Sequence, residues 1–485
     1  MSKPKLPDGW VVVVKRDCET CQMVVPVLQD LDRAGPLTAY TQDDPAFPDA
    51  PRATYDEDLG FSWHHQIETV PTLMKVKDGV EVERTVGWSR EAWRSLTGLS
   101  RLGEVLPVMR PGCGSKSLDP DLVDALRVRH GGSRLRSRRI EVASAEDDIE
   151  MMFTRGWSDG LPVVPPTEPR VMAMLEGTSR APEAVVATVP PDLVEVTVEK
   201  VAIAAVMAGC KPEYLPWVLT AVEAACTDTF NMHGLLCTTM PVGPVIVCSG
   251  PGTRRIGMNS GVNALGQGNR ANATIGRALQ LVVRNVGGGR PGEIDRAAHG
   301  SPAKLSFCFA EDDESSPYGT LASQFGLAPG VDAITLMAGE GPRCVVDQIS
   351  RTPESLAGSL AHQLQALHHH KLVVLFDALL VMGPEHARVF AEAGWDRARI
   401  LRELHARLRT PFSDLVRGAG GISEGVPAQF AGANGGAAPQ ELPKFGPHGL
   451  MLAYAGGGAG LFSAVIAGWV NGDKGSAPVT REVRP

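Results

Sequence analysis

Short apolar runs alternate with amphipathic stretches over the first hundred residues. Residues 10–15 (Trp-Val-Val-Val-Val-Lys) form an apolar run that predicts a buried strand, and the pattern over residues 19–33 is typical of a helix. The other predicted elements are a strand over residues 37–41, a short helix over 59–65, a hairpin over 71–88 turning at Asp78-Gly79, and a helix capped by Ser89. This order, β-α-β-α-β-β-α, predicts a compact sheet with helices on both faces.

The chain from residue 146 onward continues to mix the two patterns, and we detect no internal repeat in it. The predicted helices lie at residues 195–208, 216–225 and 275–283, and the predicted buried strands at 242–248, 303–309 and 372–376. The alternation predicts an α/β fold class. Because 485 residues exceed the ~250–300 that one core usually supports, we expect a smaller domain over 1–105, a Gly- and Arg-rich linker over 106–145, and a large α/β domain over 146–485.

Charge and composition indicate which kinds of molecule the protein binds. The formal net charge of −8 argues against a general nucleic-acid binder, which normally carries a basic surplus. A small anionic molecule or a protein thiol is the expected partner, and an oligomer stays open. The N-terminus lacks the apolar core of a signal peptide, and nine scattered cysteines fit reduced thiols, so we expect a cytoplasmic protein. The uncharged residues 449–470 could cross a membrane, but their glycines favour a buried strand, a turn and a short helix.

The first candidate site is Cys18-Glu19-Thr20-Cys21, which follows the first predicted strand and opens a helix. A thiolate attacks a disulfide, and a helix N-terminus lowers the pKa of a cysteine placed there. A zinc site would need a second Cys-x-x-Cys or a Cys-x-x-His nearby, and neither is present in the sequence. The motif therefore predicts a redox dithiol.

Several motifs give residues 8–100 a resemblance to the thioredoxin family. They are the stretch 18–28 with Pro26 five residues after the second cysteine, Val70-Pro71-Thr72-Leu73, Asp78-Gly79 and Val86-Gly87. The resemblance implies a thioredoxin-like fold in which Cys18 attacks, Cys21 resolves the mixed disulfide, and Pro71 is a cis-proline that shapes the substrate groove. It also implies an electron donor of the thioredoxin-reductase type.

Two departures from the family pattern concern the chemistry of the dithiol. The motif centre is Glu19-Thr20 where the family has Gly-Pro, and we expect the Glu19 carboxylate to raise the pKa of Cys18. The buried acid of thioredoxins corresponds to Val12.

The predicted linker carries a further thiol, Cys113, in the run Cys113-Gly114-Ser115-Lys116. We hypothesise that Cys113, on a mobile Gly-flanked segment between the domains, relays thiol exchange. The basic residues that follow, from Arg127 to Arg139, are interpreted as a solvated face or linker, with an anion site or interdomain clamp as the alternative.

Two other cysteines are candidate reactive thiols. His233 lies four residues before Cys237, close enough to activate it in a helix or tight turn; a buried cysteine with a satisfied histidine is the alternative. Cys210 ends a helical pattern beside Lys211, which favours a thiolate, although free cysteines are most often small core residues.

The stretch 257–295 is rich in asparagine, glycine and arginine, and it leads into a predicted helix. Backbone N–H groups at a helix start, with amide and guanidinium side chains, bind carboxylate or phosphate. The predicted substrate-binding residues are Asn259, Asn269, Arg270, Asn272, Thr274 and Arg290. The sequence establishes no cofactor; a divalent metal at the acidic run 311–314 is the alternative to a solvated face.

The large region resembles a family of bacterial fusion proteins in which a thioredoxin-like module precedes a domain related to those named after a Sec-Gly-Ser-Cys-like motif. The resemblance rests on residues 160–166, 269–277, 285–293 and Cys113-Gly114-Ser115-Lys116, where lysine replaces the second cysteine. We therefore expect a thiol-dependent redox enzyme in which a thioredoxin-like arm delivers electrons to a large domain acting on a small anionic substrate. A cysteine-dependent lyase or hydrolase using Cys237 and His233, with the arm protecting its thiol, and a non-catalytic redox sensor remain alternatives.

Overall fold

A computed structural model describes residues 3–131, 135–140, 142, 147–431 and 440–484. The chain forms two compact units, Met1–Arg134 and Leu135–Pro485. The boundary lies later than predicted, because residues 106–131 fold as part of the first unit and do not form a linker. Residues 132–134, 141 and 143–145 of the predicted linker, and residue 146, lie outside the described part of the chain.

The first unit contains the elements that the apolar pattern predicts, with several short additions. Its strands are β1 (Gly9–Val14), β2 (Leu37–Thr41), β3 (Thr54–Tyr55), β4 (Thr69–Val70), β5 (Thr72–Lys77), β6 (Val80–Val86), β7 (Trp88–Ser89), β8 (Met109–Arg110) and β9 (Cys113–Gly114). Its helices are α1 (Glu19–Met23), α2 (Val25–Ala34), α3 (Gly60–His64), α4 (Arg90–Thr97) and α5 (Val123–His130).

The central sheet of this unit has the strand order β3-β2-β1-β5-β6. Strand β1 pairs parallel with β2 and antiparallel with β5, and its residues 11–14 are fully buried. The predicted hairpin is confirmed: β5 and β6 pair antiparallel around Asp78 and Gly79, both with the positive φ that such a tight turn requires. The predicted cap is also confirmed, since the Ser89 hydroxyl accepts a hydrogen bond from the Ala92 N–H.

The predicted helix over residues 19–33 is two helices. Helix α1 ends at Met23 and α2 begins at Val25; Val24 caps both, and Pro26 lies in the first turn of α2. A proline has no N–H to donate back along a helix, so the hydrogen-bond ladder is interrupted one turn after the second cysteine.

The second unit is larger and mixes strands with helices throughout. Its helices are α6 (Asp148–Thr154), α7 (Glu168–Leu175), α8 (Val198–Ala208), α9 (Leu215–Ala225), α10 (Met232–Cys237), α11 (Pro251–Arg255), α12 (Arg270–Asn285), α13 (Leu321–Gln324), α14 (Pro353–Gln365), α15 (Pro384–Glu392), α16 (Arg397–Arg407) and α17 (Phe412–Leu415). Its strands are β10 (Val185–Val189), β11 (Val194–Thr197), β12 (Gly243–Ser249), β13 (Cys308–Ala310), β14 (Ala333–Gly339), β15 (Arg343–Val346), β16 (Phe376–Met382), β17 (Arg409–Pro411), β18 (Glu441–Pro443), β19 (Leu450–Tyr454), β20 (Phe462–Val470) and β21 (Val479–Glu482).

The main sheet of this unit has the order β13-β12-β14-β20-β16-β19, with β21 beside β14 and β15 beside β20. Its two halves share one topology: β12 pairs parallel with β13 and antiparallel with β14, as β16 does with β19 and β20. In the described residues the halves join where Gly339 of β14 lies opposite Gly468 of β20. The predicted α/β fold class is confirmed, and the topology contains a repeat that the sequence does not display.

Alternate residues of β12 face two different apolar clusters. Ile246 and Cys248 pack with residues of α8, α9 and α12, whereas Val245 and Val247 pack with Phe309 and Leu379. Burial on both faces explains why the run 242–248 is almost continuously apolar.

Four element predictions in this unit need correction. The strand predicted over 303–309 is only β13 at Cys308–Ala310, and a short 3-10 helix lies at Pro302–Lys304. Residues 194–197 form β11, rich in β-branched residues, before α8 begins after its cap Thr197. The predicted strand at 372–376 starts only at Phe376, because Val374 has a positive φ of 56°, which is incompatible with an extended strand. The end of 449–470 is strand β20, not a helix, and it pairs with β15 and β16. Among the described residues, no helix is long and apolar enough to span a membrane.

Candidate functional site

The predicted dithiol lies at the start of α1, directly after β1. Cys18 is the N-cap of this helix, and its Sγ accepts a 3.3 Å hydrogen bond from the Cys21 N–H. Its thiol is also 3.5 Å from the carbonyl oxygen of Val70, the residue before Pro71. The Val70-Pro71 peptide is cis, as the resemblance implies, so the predicted proline lies beside the dithiol.

The pKa values of the two cysteines are shifted in opposite directions. The Cys21 thiol donates a hydrogen bond that, with weaker contributions from Cys113, lowers the pKa of Cys18 to about 5 despite the opposing effect of burial. Burial and the same hydrogen bond raise the pKa of Cys21. The expectation that Glu19 raises the pKa of Cys18 is wrong: the Glu19 carboxylate forms an ion pair with Arg110.

Cys113 lies at this dithiol. Its strand β9 pairs antiparallel with β4, placing Cys113 opposite Val70 and Gly114 opposite Thr69. Both the thiol and the backbone N–H of Cys113 help to stabilise the Cys18 thiolate. Burial and the neighbouring Cys18 raise the pKa of Cys113 itself. The predicted mobile interdomain segment is instead a strand of the first unit, and we call residues 110–117 the covering segment.

The asparagine-rich stretch of the second unit is held together by its own side chains. Asn269 caps α12 by accepting from the Asn272 N–H, and Asn272 bonds both the N–H and the carbonyl of Asn259. The Arg270 guanidinium donates to the carbonyl of Gly209, and the Thr274 hydroxyl to that of Arg270. The asparagines therefore fix the loop 257–268 against the start of α12, Arg270 joins α12 to the end of α8, and Thr274 bonds within its own helix. These internal bonds do not support the predicted role of the five residues in binding a ligand.

Arg290, the sixth predicted binding residue, lines a cavity of about 560 Å³ together with His233, Arg284, Asn285 and Asp192. Within the described residues, the Nε atoms of Arg284 and Arg290 and the Oδ1 of Asn285 are buried without a hydrogen-bond partner. The arginine N–H groups are donors and suit a ligand with acceptor groups, whereas the Asn285 Oδ1 is itself an acceptor. Sequence analysis missed Arg284, Asn285 and Asp192; the first two directly precede the Gly-rich run 287–289, which is the signal that could have found them.

The predicted reactive thiols of this unit differ in accessibility. Cys237 is exposed at the end of α10, one helical turn after His233 on the same face. Cys210 is buried, its thiol donates to the Thr274 carbonyl, and burial raises its pKa to about 12. This environment favours the alternative that Cys210 is a core residue.

The acidic run 311–314 does not gather metal ligands. Glu311 is buried, accepts from Ser249 and the Leu321 N–H, and burial raises its pKa to about 7. Asp313 forms an ion pair with Arg254. Among the described residues, no group of three or more His, Cys, Asp or Glu side chains is arranged to hold a metal ion.

Comparison with known proteins adds one group of relatives. A thioredoxin of Mycobacterium bovis and a thioredoxin of Mycobacterium tuberculosis are each 32% identical to this chain over 108 residues, which is 22% of this chain and 77% of each relative. The match lies in the N-terminal part that carries Cys18 and Cys21. No family model matches the chain. The resemblance predicted for the large unit stays a prediction.

Proposed function

The chain belongs, through its N-terminal unit, to the thioredoxin family, and from this we propose that it is a thiol-dependent redox enzyme whose dithiol supplies electrons to the large unit. The observation that carries the proposal is Cys18 at the cap of α1, with its thiolate stabilised and Pro71 beside it. A cysteine that is ionised at neutral pH is prepared for nucleophilic attack.

The proposed reaction of the dithiol is thiol–disulfide exchange. The Cys18 thiolate attacks one sulfur of a substrate disulfide, and the other substrate sulfur leaves as a thiolate. Cys21 then attacks the Cys18 sulfur, which forms the Cys18–Cys21 disulfide and releases the second substrate thiolate, while the Cys21 proton passes to a departing sulfur. Two electrons reach the substrate, and a donor of the thioredoxin-reductase type restores the dithiol.

A small anionic molecule is the proposed substrate of the large unit. The support is the cavity, which the two cationic side chains Arg284 and Arg290 line. Arginine binds carboxylate and phosphate groups through paired N–H donors.

Disulfide trapping tests whether the arm serves the large unit. In the full chain with Cys21→Ser and Cys113→Ser, a mixed disulfide at Cys18 can be resolved by neither neighbouring thiol, so mild oxidation with diamide followed by peptide mapping identifies its partner in the large unit. A Cys18 disulfide to exposed Cys237 supports the proposal. Exposed Cys344 is the control for random collision; trapping at Cys344 as often as at Cys237 argues against directed transfer. If wild-type protein forms no Cys18–Cys21 disulfide, the dithiol function itself is wrong.

Ligand binding tests the anion site separately. Sulfate and succinate should raise the melting temperature of the full chain in a concentration-dependent way, because a ligand of the folded state stabilises it. Arg290→Met should abolish the shift, and Arg388→Met, at an exposed position on α15, should keep it. An equal shift in both variants would exclude this cavity as the anion site.

A cysteine-dependent lyase or hydrolase is the second candidate, because His233 lines the cavity and exposed Cys237 lies one turn further along α10. Turnover of a small anionic substrate in the Cys18→Ser, Cys21→Ser double variant, without any reductant, would favour this function. Loss of turnover in that variant would favour the redox proposal.

A further inference from the structure

The covering segment runs along the dithiol as an added strand. In addition to the pairing of Cys113 with Val70 and Gly114 with Thr69, the Ser115 N–H donates a 2.9 Å hydrogen bond to the Glu68 carbonyl. Proteins commonly bind an extended peptide in this way, with backbone hydrogen bonds for affinity and side chains for selectivity.

Side chains fix both ends of the covering segment. At one end the Thr20 hydroxyl, inside the Cys-x-x-Cys motif, donates a 2.6 Å hydrogen bond to the Pro111 carbonyl, and Arg110 pairs with Glu19. At the other end the Gln42 amide donates to the Ser115 hydroxyl at 2.7 Å and accepts from the Lys116 N–H at 3.0 Å. Glu19 and Thr20, the two residues between the cysteines, therefore both bind the covering segment.

The close approach of the covering segment depends on a glycine. A side chain at Gly112 would begin 2.5 Å from the Thr69 methyl group and 2.6 Å from the Val70 carbonyl oxygen. At Gly114, two residues further, a side chain would meet no atom within 4 Å. A side chain at position 112 would therefore disturb the contact with β4, whereas a side chain at position 114 would not.

The dithiol is enclosed as a result. Cys18 is 3% exposed and Cys21 is fully buried. Cys113, partly buried, packs against the same core and lies opposite Val70, whose carbonyl oxygen is 3.5 Å from the Cys18 thiol. A third thiol of the same unit therefore packs against the core that holds the dithiol.

We propose that Cys113 is the immediate redox substrate of the dithiol, held in the dithiol's own groove, and that Cys18 exchanges its disulfide between Cys21 and Cys113. This inference rests on the proposed dithiol function and extends it by naming the sulfur atom with which Cys18 first exchanges a disulfide.

The exchange needs no added oxidant once the dithiol is oxidised. The Cys113 thiolate attacks the Cys18 sulfur of the Cys18–Cys21 disulfide; the Cys18–Cys113 bond forms, the Cys18–Cys21 bond breaks, and Cys21 leaves as a thiolate that takes up the proton lost by Cys113. The reverse step returns Cys113 to the thiol. When Cys113 carries an external sulfur, as Cys113–S–S–R, the reduced Cys18 thiolate attacks the Cys113 sulfur and releases R–S⁻. Cys21 then frees Cys113, and two electrons have passed to R.

The test is carried out on the full chain with Cys21→Ser, so that Cys18 can pair only with another partner. One equivalent of diamide should give a Cys18–Cys113 disulfide as the main product in peptide mapping. Adding Gly112→Ala should lower its yield at least about fivefold, because the segment is displaced and the effective concentration of Cys113 falls. Gly114→Ala is the matched control and should leave the yield unchanged.

The outcomes separate this inference from the function on which it rests. If wild-type protein forms Cys18–Cys21 but the Cys21→Ser variant forms no Cys18–Cys113 disulfide, or if Gly112→Ala and Gly114→Ala behave alike, the inference is wrong and the dithiol function stands. If neither wild type nor Cys113→Ser forms Cys18–Cys21, the dithiol function fails. A Cys18–Cys113 product that depends on Gly112 supports the inference.

Discussion

The hydroxyl of Thr20 donates a 2.6 Å hydrogen bond to the carbonyl oxygen of Pro111. Thr20 is buried and lies between the two cysteines of the dithiol, whereas Pro111 precedes the third thiol. The bond therefore ties the central motif residue to the segment that covers it, and its removal gives a first prediction.

Thr20→Val should make Cys18 more accessible. The substitution keeps the shape of the side chain but removes one hydrogen bond, worth about 1 kcal/mol, so the covering segment should open roughly fivefold more often. The rate of Cys18 alkylation by iodoacetamide, measured by peptide mapping, should rise by that factor. Thr97→Val is the control, because it removes a comparable bond to the Trp93 carbonyl in α4; equal acceleration in both variants would show general loosening.

The pH dependence of Cys18 alkylation should report its lowered pKa. Since the thiolate is the reactive form, the rate should rise through pH 5 and be level at neutral pH. Cys113→Ala removes one hydrogen-bond donor to that thiolate and should move the midpoint upward. Cys113→Ser keeps a donor and should move it less. A profile with its midpoint near the usual pKa of a free cysteine would contradict the site geometry.

Glu311 should make the large unit less stable as pH rises from about 4.5 to about 7. The pKa of the buried Glu311 is raised from 4.5 to about 7, so in this window the unfolded chain releases a proton that the folded chain retains. The loss should be on the order of 3 kcal/mol and should end above pH 7. Glu311→Gln should remove this part of the pH dependence in urea unfolding, whereas Glu392→Gln on exposed α15 should not. Unchanged dependence in Glu311→Gln would overturn the assignment.

Arg277 should be important for the stability of the large unit. Its guanidinium binds both carboxylate oxygens of Asp159 at 2.8 Å and also donates to the carbonyls of Leu161 and Pro162. Both side chains of the pair are largely buried. Arg277→Met leaves an unpaired buried carboxylate and should cost about 3–5 kcal/mol in urea unfolding. The double variant Arg277→Met, Asp159→Leu should lose less than Arg277→Met alone, and Arg388→Met, an exposed control, should lose almost nothing.

The dithiol could be predicted from sequence because its signals are local. The order of strand, Cys18, Cys21 and helix is readable within a dozen residues, and Pro71 follows from a short motif. The placement of Cys113 near Cys18 depends on pairing between β4 and β9. Each strand has only two residues, which is too short for a recognisable strand pattern in the sequence.

The role of the asparagines could not be predicted from their sequence pattern. The residue types that bind an anion are also those that cap helices and bridge loops, and composition alone does not separate these roles. Asn272 is fully used by backbone partners. The unpaired Nε of Arg284 became visible only once its surroundings were known.

The two halves of the large sheet also exchange strands. β15 directly follows the first half but pairs with β20 of the second, and β21 directly follows the second half but pairs with β14 of the first. Strands β12 and β16 are each followed by a Gly-Pro step into a helix, at Gly250-Pro251 and Gly383-Pro384. The two halves are thereby related like the subunits of a strand-swapped homodimer, since each half contributes one strand to the sheet of the other.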